Sequence, residues 1–165
     1  MSTSISEHTL LLLRHAKAER PVGVPDEQRP LSARGLADAA AAGEWLAEHG
    51  YVPQLVLCSP SRRTKETWRQ VAQALPTEPL VEYVHDIYAG GPWELLELIR
   101  KTPKGTPTVL VIGHNPTLEL LAALLDPQGG GGMRTAEISV HKQESDWANI
   151  GARTAPVAIT HAGRG

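Results

Sequence analysis

The sequence predicts an α/β fold, a three-layer α/β/α sandwich around a mainly parallel central sheet. Three observations carry this. Strand-like and helix-like segments alternate along the 165 residues, the pattern of a layered α/β domain. The runs in Thr9–Leu13, Gln54–Cys58 and Thr108–Ile112 are nearly continuous in apolar residues rather than alternating, which suits strands covered on both faces. A helical pattern lies between successive runs, so right-handed crossovers would leave the strands parallel.

Thr9–Leu13 is the first expected strand, long enough to be buried and far too short to cross a membrane. Ala16–Pro30 carries Pro21, Gly23, Pro25 and Pro30 and reads as a polar loop able to cover a site. Ser32 offers an N-cap for a helix running to about His49, with Leu36, Ala40, Gly43, Leu46 and Ala47 inward and Gly50 as its stop. Gln54–Cys58 is the second strand, Ser59-Pro60 a turn, and Arg62–Ala74 a helix. Leu80–Tyr83 is a short strand. Pro92 suits the first turn of a helix whose Leu95, Leu96, Leu98 and Ile99 face inward. Thr108–Ile112 is a central strand and Thr117–Leu125 the next helix. Gly129–Gly132 reads as a surface loop, and Thr135–Val140 with Trp147–Ile150 as a hairpin around Lys142–Ser145. Ala155–Thr160 is a last strand or a surface arm. No repeat or linker divides the chain, so residues 1–165 are expected to form a single domain.

Hydrophobic residues make up 41%, as in an ordinary globular protein, and with 4% aromatics and no Phe the core must be built from Leu, Val, Ile and Ala. A formal charge of −2 argues against nucleic-acid binding and against electrostatic docking on membranes. The single Cys58, inside an apolar run, reads as a buried structural thiol. No signal-peptide pattern is visible, so a cytoplasmic protein is expected. Nothing specifies an oligomer, and a monomer is the default. Trp45, Trp68, Trp93 and Trp147 read as structural, and His8, His49, His85, His141 and His161 as surface residues.

Three strand exits carry the chemistry: Arg14-His15, Ser59-Pro60-Ser61-Arg62-Arg63 and Gly113-His114-Asn115. In an open α/β sheet, ligands bind beyond the carboxyl ends of parallel strands. Parallel neighbours would therefore merge these exits into one site with two histidines and several arginines. Guanidinium grips phosphoryl oxygens with paired hydrogen bonds, and a neutral imidazole with one bare nitrogen can attack phosphorus. Zinc would need a third ligand near the same exits, and the arginines would repel it. No metal or cofactor is expected. Ser59 and Ser61 lack a Gly-x-Ser-x-Gly elbow, and the glycine run lacks the Lys of a P-loop.

Leu13-Arg14-His15-Ala16, Ser59-Pro60-Ser61-Arg62-Arg63-Thr64-Lys65-Glu66-Thr67 and Gly113-His114-Asn115-Pro116 together resemble the histidine phosphatase, or phosphoglycerate mutase-like, superfamily. Arg29-Pro30-Leu31-Ser32-Ala33-Arg34-Gly35 and Thr135-Ala136-Glu137-Ile138 extend the likeness to its small SixA-type phosphohistidine phosphatase branch. The resemblance implies a metal-independent phosphatase in which His15 is the phosphorylated nucleophile. Arg14 and Arg63 would bind the phosphoryl oxygens and His114 would complete the pocket. Arg29 and Asn115 are candidates for substrate contact. Ala16 departs from the family's usual Gly, which matters only if the backbone there has positive φ. The carboxylic acid of larger relatives has no clear match, with Asp86 and Glu82 in about the right region.

Expelling an alkoxide without a general acid sacrifices on the order of 10²–10⁴-fold. Expelling imidazole is easier, because solvent can protonate the phosphoramidate before the P–N bond breaks. A reactive aryl or acyl phosphate satisfies the same argument; the branch resemblance and a chain too small to enclose a metabolite make a protein bearing phosphohistidine the expected partner. The alternatives are a small phosphoester or phosphoanhydride as substrate, or a phospho-binding regulatory module without turnover.

Overall fold

The computed structural model describes residues 7–128 and 131–163. Six strands, β1 (His8–Arg14), β2 (Leu55–Cys58), β3 (Leu80–Tyr83), β4 (Thr108–Gly113), β5 (Ile138–Gln143) and β6 (Val157–His161), form one sheet in the order β3-β2-β4-β1-β5-β6. The first four are parallel, and β5 and β6 are antiparallel. The helices are α1 (Ala33–Glu48), α2 (Arg62–Ala72), α3 (His85–Ala89), α4 (Pro92–Arg100) and α5 (Thr117–Leu125).

The leucine run of β1 explains the layering. Successive side chains of a strand point to opposite faces. Leu10 and Leu12 enter a core with Leu95, Leu96, Leu121 and Trp147, while Leu11 and Leu13 enter another with Leu46, Trp68 and Val71. All four leucines are fully buried, and each contributes about 1.5–3 kcal/mol of burial. Helices α4 and α5 thus cover one face, and α1 and α2 the other.

Local signals hold where they are strong. Ser32 caps α1 by accepting from Gly35 N at 3.0 Å, and Gly50 follows that helix with φ +73°. Ser61 caps α2 by accepting from Thr64 N, and α5 spans the predicted Thr117–Leu125. The inward stripe of α1 is shifted from expectation: Gly35, Ala39, Ala42, Gly43 and Leu46 are buried, whereas Leu36 is exposed. Gly43 sits there because a Cβ would stand 2.6 Å from Val71 O of α2.

The expected hairpin is not formed. Trp147–Asn149 is a 3₁₀ turn whose Trp147 fills the core, and β5 instead lies between β1 and β6. Two histidines expected at the surface are interior: His8 pairs with Ser145 O, and His141 lies between Ala155 O and Ser139 Oγ. Trp93, expected to be structural, is exposed. Gly131 and Gly132 are exposed as the surface-loop reading predicts; Gly129 and Gly130 lie outside the described residues.

Candidate active site

Because β2, β4 and β1 are adjacent and parallel, their exits meet at one edge, with β4 in the middle. The ladder continues one residue past each flanking strand: Ser59 N–H donates to Ile112 O (3.1 Å) and His15 N–H to Gly113 O (3.0 Å). The side chains that carry chemistry therefore start from the last rungs of the sheet. Thr67 ties the first exit to α2, its Oγ1 accepting from Ala16 N (3.1 Å) and donating to Arg63 O (2.8 Å). Ala16 is not among the positive-φ residues, so the departure from Gly costs no strain.

The rings of His15 and His114 lie 5.4 Å apart, centroid to centroid. His15 Nδ1 is 2.7 Å from Ala16 O. A carbonyl only accepts, so Nδ1 carries the proton and Nε2 has a free lone pair. Burial, together with His114, Arg63 and Arg14, pushes the basicity of His15 down to about 3, which keeps the ring neutral near pH 7. Burial and the Arg63 charge lower His114 to about 4.

Arg63, at the start of α2, is nearly enclosed. It donates from Nη1 to Asp26 O (2.8 Å) and from Nη2 to Asp26 Oδ2 (3.1 Å), and its Nη2 faces His114 Nδ1 at 3.4 Å. Arg14 donates from Nη1 to Met133 O (2.9 Å). The Nε–H groups of both arginines are buried with no protein partner. A buried charged donor left unpaired is costly, and both guanidinium groups lie close enough to the two histidines to lower their basicity. Among the described residues no group of three His, Cys, Asp or Glu side chains is arranged to hold a metal ion.

The other predicted residues fall into place unevenly. Arg29 joins the rim by donating to Asp26 Oδ1 (3.0 Å) and to Glu19 O. Asn115 donates to Glu119 Oε2 (3.0 Å) and to Met133 O (2.8 Å), the carbonyl that also receives Arg14. Its amide hydrogens thus hold the Met133 segment against Arg14. Glu82 does not reach the site: it lines a separate cavity with Gln54, Leu80 and Thr106 near the amino ends of β2, β3 and β4. Asp86 is exposed on α3, and its carboxylate makes no hydrogen bond or ion pair with the site residues.

Sequence reasoning missed Asp26. Its carboxylate accepts from Arg63, Arg29 and Tyr88, the last at 2.7 Å. The Tyr88 hydrogen bond and the two arginines hold it well below the usual carboxylate range, despite the opposing effect of desolvation. Asp26 is therefore ionised and is not a proton donor at neutral pH. Tyr88, on α3, also sets its ring edge-on to His114, with centroids 5.6 Å apart. The only signal in the sequence was position: Asp26 stands three residues before Arg29 in the proline-rich loop.

A profile of the histidine phosphatase superfamily (branch 1) matches residues 10–85. The Haemophilus influenzae homologue of the phosphohistidine phosphatase SixA is 30% identical over 129 residues, 70% of this chain and 76% of that protein. The chain belongs to the histidine phosphatase superfamily, in its SixA-type branch. A structure assigned as phosphohistidine phosphatase SixA from Nakamurella multipartitia superposes with a TM-score of 0.84 at 30% identity, covering 96% of this chain and 98% of that one. An uncharacterised Mycobacterium tuberculosis protein is 31% identical over 148 residues, 84% of this chain and 91% of its own. The SixA-type assignment makes this chain a phosphatase, and its fold is the phosphoglycerate mutase-like one that the motifs implied. Among the described residues no helix is long and apolar enough to cross a membrane.

Proposed function

We propose that this SixA-type phosphatase removes phosphate from histidine on a protein, in two metal-independent steps through phospho-His15. In the first, His15 Nε2 attacks phosphorus, the substrate P–N bond breaks, and the departing imidazole takes up a proton. In the second, water attacks phosphorus, the P–Nε2 bond breaks and phosphate leaves. The observation that carries this reading is the fixed tautomer of His15: the 2.7 Å bond to Ala16 O spends its proton and leaves the attacking nitrogen bare. Arg14, Arg63 and His114 surround the position the phosphoryl group would take, and stabilisation of its charge is the main task in phosphoryl transfer.

The substrate class follows from the carboxylates. Asp26 is ionised, Glu82 lies elsewhere, and Asp86 is bonded to none of the four core side chains. A leaving group that solvent can protonate beforehand fits this set better than an alkoxide. An open cavity of about 780 Å³ begins at Arg14 and continues past Glu137 to Thr160, and this leaves room for the body of a protein substrate. The partner is thus a phosphorylated protein, with a small activated phosphoester or phosphoanhydride as the competing substrate. A single thiol buried in β2 is compatible with a reducing compartment, and the cytoplasm is the proposed location.

The test is incubation with a phosphohistidine-bearing protein, a phosphoserine peptide and an activated aryl phosphate. The reading expects turnover of the first and third, an acid-labile phosphoenzyme, and loss of both in His15→Ala. Faster turnover of phosphoserine would overturn the substrate class. Phosphate binding without any turnover between pH 5 and 8 would favour a binding module.

A further inference from the structure

His114 differs from His15 in how its proton is placed, and the difference singles out Ser59. His114 Nε2 lies 2.8 Å from Ser59 Oγ, and its Nδ1 lies 3.4 Å from Arg63 Nη2. A guanidinium can only donate, so Nδ1 toward Arg63 is a lone pair and the proton is on Nε2, donated to Ser59. Ser59 is completely buried. Its Oγ also accepts from Ser61 N (3.4 Å), and its own N–H is held by Ile112 O. The hydroxyl oxygen is thus fixed as an acceptor by the turn that starts α2. Without it, Nε2–H would be left unpaired and the opposite tautomer would compete.

We propose that Ser59 is a positioning residue of the phosphatase reaction: by accepting Nε2–H it fixes the tautomer in which His114 Nδ1 accepts from Arg63 Nη2, and so holds the second histidine and the second arginine in register beside His15. The inference rests on the reaction proposed above and concerns how its second histidine and second arginine are held. The charged and titratable groups facing His114 are Arg63 from α2, Arg14 from β1, Asp26 and Arg29 from the loop, Tyr88 from α3 and His15. Burial first, and then the arginines, keep the ring neutral in the free protein, and Asp26 opposes them, so Nδ1 stays a lone pair toward Arg63.

Nitrogen-15 NMR of the imidazole rings, assigned with His114→Gln, reads the tautomer directly. At pH 7 the wild type is expected to carry the His114 proton on Nε2. Ser59→Ala is expected to mix the two tautomers and to lower kcat on an aryl phosphate by about ten-fold, the effect of one lost hydrogen bond, with KM nearly unchanged. Ser59→Thr, which keeps the hydroxyl, should restore both. A wild-type His114 protonated on Nδ1 overturns the proposal even if every variant fails to fold. So does a folded Ser59→Ala whose tautomer and kcat match the wild type. Loss of the His15 pathway is recognised separately, because His15→Ala would then retain turnover while the His114 tautomer stayed as described.

Discussion

Replacing Arg63 by Met tests the electrostatic reading most directly. Met keeps most of the aliphatic stem and removes the guanidinium, whose Nε–H is buried without a partner and whose two Nη groups hold Asp26 and face His114. If that Nε–H serves the phosphoryl oxygens, the variant loses a preorganised donor in an enclosed site, an effect of about 2.7–4 kcal/mol, or on the order of 10²–10³ in kcat. The effect on stability should be far smaller. The side chain of Asp26 is 52% exposed, so its ion pair with Arg63 contributes at most about 1 kcal/mol, and Arg29 and Tyr88 remain to hold it. For a domain of this size that is about 2–4 °C in Tm. Arg63 also depresses the basicity of both site histidines, so both should bind protons more readily in the variant while burial keeps them below the ordinary value. Steady-state turnover of an activated aryl phosphate, thermal melts and a histidine NMR titration measure the three quantities. A kcat/KM within ten-fold of wild type in a folded variant, or histidines whose titration does not move upward, would refute the reasoning.

Two further outcomes follow from the geometry. His15 and His114 titrate at about 3 and about 4 in the free protein. With substrate ionisation corrected for, kcat/KM should therefore stay level from pH 7 to 5 and fall only as Nε2 of His15 is protonated below about 4; a break near 6.5 would contradict the buried, arginine-flanked placement. Gly43→Ala places a methyl 2.6 Å from Val71 O, forcing α1 and α2 apart at a cost of about 1–3 kcal/mol; calorimetry should show a Tm lowered by several degrees, and an unchanged Tm would mean that the helices are free to separate.

The parts of this molecule that could be read from its sequence are those set by local chemistry. Ser32 announces a helix start because a hydroxyl three residues before an amide caps it, and unbroken apolar runs announce β1, β2 and β4 because a strand buried on both faces tolerates nothing polar. The convergence of Arg14, His15, Arg63 and His114 was legible because parallel neighbours put their exits on one edge. What failed is non-local. Trp147 follows β5 at hairpin distance, yet β5 takes β1 and β6 as partners while Trp147 plugs the core beneath α4 and α5. His8 and His141 looked like surface residues because burial of a histidine depends on a carbonyl supplied from elsewhere, Ser145 O and Ala155 O here. The five-residue α3 is too short to show a period, and so Tyr88 escaped notice. Asp26 matters only because a loop folds back across 37 residues to meet Arg63, which no spacing within that loop foretells.

The single-residue extension of the ladder beyond β1 and β2 has an engineering consequence. His15 and Ser59 inherit the stiffness of the sheet, so the grip on a tetrahedral anion is built into the scaffold. Asp26 and Arg29 hang instead from a proline-rich segment that crosses the rim and makes few of the core contacts. Exchanging that segment between relatives should change which molecules gain entry, provided that an acidic residue is kept at position 26 to hold Arg63.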